Sequence, residues 1–404
     1  MRFEANRLIM LEASRNVAKV APTGSHSDVI NGVLVESNED TGEVYLTATN
    51  HEVSIQQKIP ASVQESGTML VNARLLVDMM SKLEGDFVNL SADKPQLLNV
   101  HGGKCSYRIN CLLSDSYPKP VIPFPEESVI MTGICSLAKR TVFAVSENET
   151  KPALQCVQIK LKSNAVHAAA CDGMRMMLVR DEAESPNEQE FLLYGRSLKL
   201  LASVSQDDDV FEVGDIGNQV VFVRGDMIFA INKMITGDFI DTSFVVKNIK
   251  PDYTAVADSD KLKEALGLIS VAAMMGEKKE PINIVMSDGE IVMSCNSGYS
   301  EAGTSVPAKV TKSTPDTGFL YDVTALVKLF NVVGGKVKIE IDAQGYMLVK
   351  TPKEVYLQLP LRPSAASPKP VKQDKGKGGS QSEQGDKKKE PKRAKGAGDV
   401  KEVA

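Results

Sequence analysis

Apolar residues along this chain follow two alternating rhythms. The opening RFEAN has the two-residue period of a strand, and from Arg7 to Val20 the apolar positions Leu8, Leu11, Val17 and Val20 form the stripe of an amphipathic helix. Three short strand-like runs follow, GVLVES, VYLTATN and HEVSIQQKI. The order then restarts with TMLVN, a helix from Ala73 to Leu83 marked by Leu75, Leu76, Met79, Met80 and Leu83, and the runs DFVNLSA, QLLNVH and KCSYRINCL. The pattern predicts strand, helix and three strands, twice over. The rest of the chain fits the same order, with helix pairs near Ser136 to Ser146 and Arg196 to Val204, then near Asp260 to Met275 and Val323 to Val332.

Two markers give this order a period. A strand ending in a small polar pair occurs in GEVYLTATN, NAVHAAACDG and GEIVMSCNSG, and its Asn50, Asp172 and Asn296 are 122 and 124 residues apart. The strand-like runs that start at Phe87, Val210 and Val337 are 123 and 127 apart. One period from two markers predicts three copies of one domain. The boundaries are expected at residues 1–124, 125–248 and 249–363, with a tail over 364–404. A helix with a single apolar stripe must lie against a sheet, so each domain is expected to be α+β, with two helices packed on sheet. Such domains placed head to tail can curve into an arc, and an arc can close by self-association.

The composition, with 42% hydrophobic and 25% charged residues among 404, is that of a soluble globular protein of two or three domains. No stretch is long and apolar enough for a signal peptide or a membrane span, so a cytoplasmic protein is expected. The six cysteines form no C-x-x-C pair and read as reduced, mostly buried thiols; the four histidines are scattered, and no metal or other cofactor is expected.

The net charge of −5 conceals an asymmetry. Ser364 to Ala404 carries 11 Lys+Arg against 6 Asp+Glu, and residues 1 to 363 carry 36 against 46, a balance of −10. The tail has no aromatic residue and is expected to be disordered, acting either as a tether for DNA or an acidic partner or as a solubilising appendage.

Catalytic signatures are missing. Asp172-Gly173 has the look of a catalytic loop, but its counterparts Asn50-His51 and Asn296-Ser297 mark a turn that ends a strand. The GGK runs at 102–104 and 334–336 lack the upstream glycine and the following Ser or Thr of a phosphate loop. The expectation is a non-catalytic protein.

Over residues 1 to 363 the chain resembles the β subunit of bacterial DNA polymerase III, the sliding clamp. The segments that carry the likeness are MRFEANRLIMLEASRNV, VNAR at 71–74, ACDGMRMMLV at 170–179, TGDFIDTSFV at 236–245 and YLQLPLRP at 356–363. The resemblance implies three clamp domains, each of two βαβββ units. It implies a head-to-tail homodimer around duplex DNA that tethers the replicative polymerase, the clamp loader and other proteins bearing a clamp-binding motif, in a nucleoid-associated setting. It places DNA contacts at Lys19, Arg74, Asn148, Arg196 and Lys199, and a dimer interface at Tyr107, Ile109, Met274 and Met275. A peptide-binding cleft would be formed by Leu154, Cys171, Gly173, Met174, Arg175, Met176, Ile240, Phe244, Val245, Leu357, Leu359, Pro360, Leu361 and Arg362. Ile240 and Phe244 stand where the family usually has proline and arginine, which predicts an altered partner preference. Gly24 and Ser25 stand in place of a usual basic loop residue, and Pro152-Ala153 in place of an aromatic pair.

Charge supports the resemblance independently. The helices expected to line the hole carry Arg7, Arg15, Lys19, Arg74, Lys82, Lys139, Arg140, Arg196, Lys199, Lys261, Lys263 and Lys328 on an otherwise acidic body. Phosphate contacts position a protein on DNA without reading sequence, as sliding requires. Taken one at a time, these residues also fit ordinary solvated helix faces, and Leu357, Leu359 and Leu361 fit a core-facing edge strand with Pro360 at the edge. Two other functions fit the same features: a clamp-like decoy or regulator that binds partner peptides without encircling DNA, and a repeat-built scaffold with no nucleic-acid role.

Overall fold

A computed structural model of the protein describes residues 1–24, 29–94, 96–122, 124–148, 150–182, 188–235, 237–276, 279–297 and 299–362. The expectation for the tail, 364–404, and that for Ser25 lie outside the described residues. Met1–Arg362 is one compact unit.

The predicted order of elements recurs six times. The first unit is β1 (Arg2–Asn6), α1 (Arg7–Ala18), β2 (Gly32–Asn38), β3 (Glu43–Thr49) and β4 (Val53–Glu65). The second is β5 (Gly67–Asn72), α2 (Ala73–Lys82), β6 (Phe87–Lys94), β7 (Leu97–Gly102) and β8 (Cys105–Asn110). The third is β9 (Val129–Thr132), α3 (Ile134–Thr141), β10 (Cys156–Lys162), β11 (Ala165–Cys171) and β12 (Arg175–Glu182). The fourth is β13 (Gln189–Tyr194), α4 (Gly195–Ser203), β14 (Val210–Asp215), β15 (Gln219–Arg224) and β16 (Met227–Asn232), followed by an extra short helix, α5 (Thr242–Asn248). The fifth is β17 (Tyr253–Asp258), α6 (Ser259–Ala273), β18 (Ile282–Ser287), β19 (Glu290–Asn296) and β20 (Glu301–Lys312). The sixth is β21 (Phe319–Tyr321), α7 (Val323–Phe330), β22 (Lys336–Ile341), β23 (Met347–Lys350) and β24 (Glu354–Gln358).

Local chemistry sets the helix starts. The side chains of Asn6, Asn72, Asp258 and Asp322 each accept hydrogen bonds from the first free N–H groups of the helix that follows. α3 begins two residues before the expected Ser136, because Gly133 takes a left-handed φ of +71° and turns the chain straight out of β9; a 3₁₀ turn, Val142–Ala144, continues it. The buried faces of α1 (Met10, Leu11, Val17), α2 (Leu76, Met79, Met80), α4 (Leu198, Leu201) and α6 (Leu262, Leu266, Ile269) join one hydrophobic core with the inward sides of the strands.

The strands form two twelve-stranded sheets. One runs β8-β7-β6-β1-β4-β16-β15-β14-β9, with β2, β3 and β5 attached through β4; the other runs β13-β10-β11-β12-β24-β23-β22-β17-β20-β19-β18-β21. Two joints follow one rule, in which the last strand of a domain's second half pairs antiparallel with the last strand of the preceding domain's first half. Met227–Ile231 of β16 pairs with Val53–Gln57 of β4, and Glu354–Gln358 of β24 pairs with Arg175–Val179 of β12. The edge reading of Leu357 to Leu361 is corrected here, since β24 lies inside its sheet between β12 and β23 and stops at Gln358. Pro360, which has no N–H to give a ladder, lies beyond the strand end.

Candidate functional site

The expected cleft lies where β12 meets β24. β11 delivers Cys171 to a tight turn in which Gly173 sits at φ +93°, and a side chain there would meet no neighbour within 4 Å, so the backbone conformation itself requires glycine. Asp172 organises the turn: its Oδ1 accepts from the N–H of Met174 (2.8 Å) and Arg175 (2.9 Å), and its Oδ2 takes the Arg175 Nε–H at 2.7 Å. The catalytic appearance of Asp172-Gly173 thus resolves into a strand-ending Asx turn. Arg175 is held against the turn, with its guanidinium largely covered.

Seven of the expected cleft residues fall in one apolar cluster. Cys171, Met176 and Leu357 are buried there with Leu348, and Leu154, Ile240, Val245 and Leu359 pack against them. Burial pushes the Cys171 thiol above its usual range, so it acts as an apolar wall group. Met174 and Phe244 lie exposed at the rim, Phe244 with 66% of its surface open. Past β24 the chain is still held in register, since the Leu359 N–H donates to the Met174 carbonyl (2.9 Å) and the Leu361 N–H to that of Leu320 (2.7 Å). Pro360 is half-buried and Arg362 exposed.

Sequence reasoning missed Leu348, Leu178, Phe239, Val246, Ile249 and Val355, which complete the cluster, and it missed α5, which carries Phe244 and Val245. The signal for α5 was present. Asp241 precedes Thr-Ser-Phe-Val-Val, and its Oδ1 accepts from the N–H of Ser243 and Phe244, as a helix cap does. Those bonds, the Ser243 hydroxyl first, hold the Asp241 carboxyl below the usual carboxylate range.

The residues assigned to DNA divide into two groups. Arg74 is almost fully exposed, with Asp78 one turn away at 4.0 Å; Lys199 is exposed on α4; Asn148 is exposed but turns its Oδ1 onto the Thr150 N–H and hydroxyl. Lys199 and Lys328 line a cavity of about 780 Å³ between α3, α4 and α7. Lys19 and Arg196 instead join the first third of the chain to the second. The Lys19 ammonium donates to the Ser203 carbonyl at the end of α4, and Arg196 Nε donates to Glu52 at 2.5 Å while its guanidinium stacks on Tyr194. Glu52 also takes the Ser197 hydroxyl. Arg140, counted from sequence among the channel cations, is corrected: only 11% of its side chain is exposed, and it bridges Asp181 on β12 and Glu354 on β24.

The expected interface residues occupy open elements. β8 is the outermost strand of its sheet, with Tyr107 and Ile109 packed only partly against the core, and Cys105 on it is the one exposed cysteine of the six. Met274 and Met275 are exposed at the end of α6, in line with the exposed Leu268 and Val271.

Comparison with known proteins agrees with this geometry. Residues 1–122 match the family model described as DNA polymerase III beta subunit, N-terminal domain, and residues 131–241 match that of the central domain, together more than half of the chain. The chain is 23% identical to the beta sliding clamp of Bacillus subtilis over 313 residues, covering 72% of this chain and 82% of that protein. It is 25% identical to the beta sliding clamp of Staphylococcus aureus over 321 residues, covering 75% and 82%. Among solved structures, the putative DNA polymerase III beta subunit of Eubacterium rectale superposes with a TM-score of 0.82 at 16% identity, over 89% of this chain and 99% of that one. The Bacillus subtilis sliding clamp superposes with a TM-score of 0.81 at 20% identity, over 90% and 100%. From its α+β units, its cleft and these matches together, the chain belongs to the DNA polymerase III β subunit family, the bacterial sliding clamps.

Proposed function

We propose that this sliding clamp acts as a head-to-tail homodimer of three-domain subunits (1–124, 125–248 and 249–363) that encircles duplex DNA and holds the replicative polymerase, the loader and other partners by peptides seated in the β12–β24 cleft. The reading makes it a non-catalytic processivity factor of the cytoplasm.

The observation that carries the ring is the joint rule of the two sheets. Each domain's first half ends in a strand that receives the closing strand of the next domain: β4 receives β16, and β12 receives β24. Within Met1–Arg362 only the equivalent pair, β20 as receiver and β8 as closer, is left without a partner of this kind. An unpaired edge is a template for another chain, and two heterologous edges that match each other close a ring. The hairpin registers transfer the pairing residue by residue. Tyr107 is equivalent to Phe229 and Tyr356, and Ala302 to their partners Ile55 and Met177. Tyr107 would then lie opposite the partner subunit's Ala302, a small side chain facing a large ring, and Cys105 opposite the partner subunit's Thr304. The Leu268, Val271, Met274 and Met275 ridge on α6 would close against α2 of the other subunit.

Ring closure has a direct test. Protein loaded on nicked circular DNA should be retained through gel filtration at high salt and lost when the circle is linearised, because only topology survives screening. Equal loss from circular and linear DNA leaves no ring.

A further inference from the structure

A row of cations crosses the outer face of the β10–β11–β12 sheet, and neither the ring nor the cleft uses it. Lys160 stands directly opposite His167, and His167 directly opposite Arg180. All three point away from the core, since their neighbours Ile159, Leu161, Val166, Ala168 and Val179 are buried within it. This body is acidic overall, and here Lys160 and Arg180 flank His167 on one face. Among the described residues, Lys160 is the member of the row with an acidic partner, Glu190 at 3.2 Å. Lys162 stands exposed on the same face of β10, two residues beyond Lys160. Burial first, and then Lys162, Arg180 and Lys160, hold the His167 imidazole below its ordinary pKa, an independent sign of positive potential here.

The row adjoins the cleft. Along β11 and β12, the Cys171–Met176 pair belongs to the cleft floor, the Ala169–Leu178 pair comes next, and the His167–Arg180 pair follows. Four strand residues at about 3.3 Å each separate the first pair from the last, roughly 13 Å, the span of about four extended peptide residues. The intervening strip lies in a cavity of about 750 Å³ roofed by Phe239 and Ile240, which also wall the cleft. Three carboxylates, Glu190, Asp238 and Asp241, line it; Glu190 is paired with Lys160 and Asp241 is engaged in capping α5.

We propose that the Lys160–His167–Arg180 row, with Lys162, is a second docking surface that receives an acidic segment of the partner whose apolar motif occupies the cleft, about four residues from the last apolar anchor. The inference rests on the cleft reading above. The row supplies charge and direction, while the cleft supplies the apolar anchors; the added affinity is electrostatic and falls with salt.

The test uses the full-length protein and fluorescein-labelled peptides: a clamp-binding peptide alone, and the same peptide with three glutamates four residues beyond its apolar anchors, at one end or the other. In 50 mM salt, one of the two extended peptides should bind about five- to tenfold more tightly than the plain one. The gain should vanish in about 0.5 M salt, where screening acts within a few ångströms. Arg180→Glu should abolish the gain and leave the plain peptide's affinity unchanged; Arg180→Gln, which keeps the size of the side chain, should remove most of it. Equal binding of plain and extended peptides at low salt, or a full gain in Arg180→Glu, overturns the proposal. If the plain peptide does not bind, the cleft reading fails by itself. The row is then decided by a triglutamate peptide at low salt, and unmoved His167 ring resonances overturn it. Displacement of the extended peptide by duplex oligonucleotide as effectively as by triglutamate would assign the row to nucleic acid and likewise overturn the proposal.

Discussion

At the scale of single residues, the cations of this chain are sorted by what they meet. Arg140 lies between Asp181 and Glu354, nearly covered, so that one guanidinium ties α3, β12 and β24 together at a sheet joint. Removing one member of such a group leaves the other charges buried and uncompensated, whereas an apolar replacement of similar volume recovers packing. Arg140→Ala should therefore lower unfolding stability by about 3 to 5 kcal/mol, read from urea denaturation midpoints at a constant slope. Arg140→Met should lose less, and equal losses for the two would show that the ion group contributes no more than its volume. Arg196 meets Glu52 and Tyr194, and Lys19 meets a helix end, so two of the five cations and polar groups assigned to DNA also join successive thirds of the chain. Arg74 and Lys199 remain open for phosphate.

At the scale of elements, two segments end where function begins. α6 buries Leu262, Leu266 and Ile269 and leaves Leu268, Val271, Met274 and Met275 exposed, a second apolar face that nothing among the described residues covers. If that face packs against α2 of another copy, truncating both methionines should weaken the dimer by about 2 to 5 kcal/mol per well-buried methionine. Sedimentation at nanomolar concentration should then show monomers; a double alanine variant that stays dimeric would exclude α6 from the interface. β24 ends at Gln358, and the next four residues carry the cleft's outer wall. A chain ended after Gln358 should lose a clamp-binding peptide in fluorescence anisotropy while its dimerisation matches that of a chain ended after Arg362, because the apolar anchors are local. Unchanged peptide affinity would move the site elsewhere.

At the scale of the whole molecule, strand pairing is the device that builds size. Two joints of the same kind hold the described chain in one compact unit, and the proposed third joint would form with a second copy. In the proposed dimer, the register carried over from β16 and β24 sets Cys105 opposite the partner's Thr304. Thr304→Cys should therefore give a covalent dimer on mild oxidation or with a short bis-maleimide, and the circular DNA it encloses should survive denaturant. A register slipped by two residues would move the strands by roughly 6.6 Å and give no such product, while Ser305→Cys, whose side chain faces the other side of the sheet, should cross-link poorly in either case.

The six-fold order of strands and helices and the apolar faces of the helices were legible in the chain, because period-two and period-3.6 patterns are local consequences of which face is buried. The cleft residues were legible by resemblance, and seven of them do gather in one cluster. What the chain alone left open was set by contacts between residues far apart in sequence. Arg140 looked like any other cation on a helix until Glu354, 214 positions away, reached it. Leu357 had the pattern of an edge, but its strand lies inside a sheet because β12 pairs with it. The cationic row is invisible as a pattern, since Lys160, His167 and Arg180 are neighbours only through the β10–β11–β12 register. A sequence records the propensity of each segment and the face it buries; strand order and register depend on which segments meet, and only the folded chain decides that.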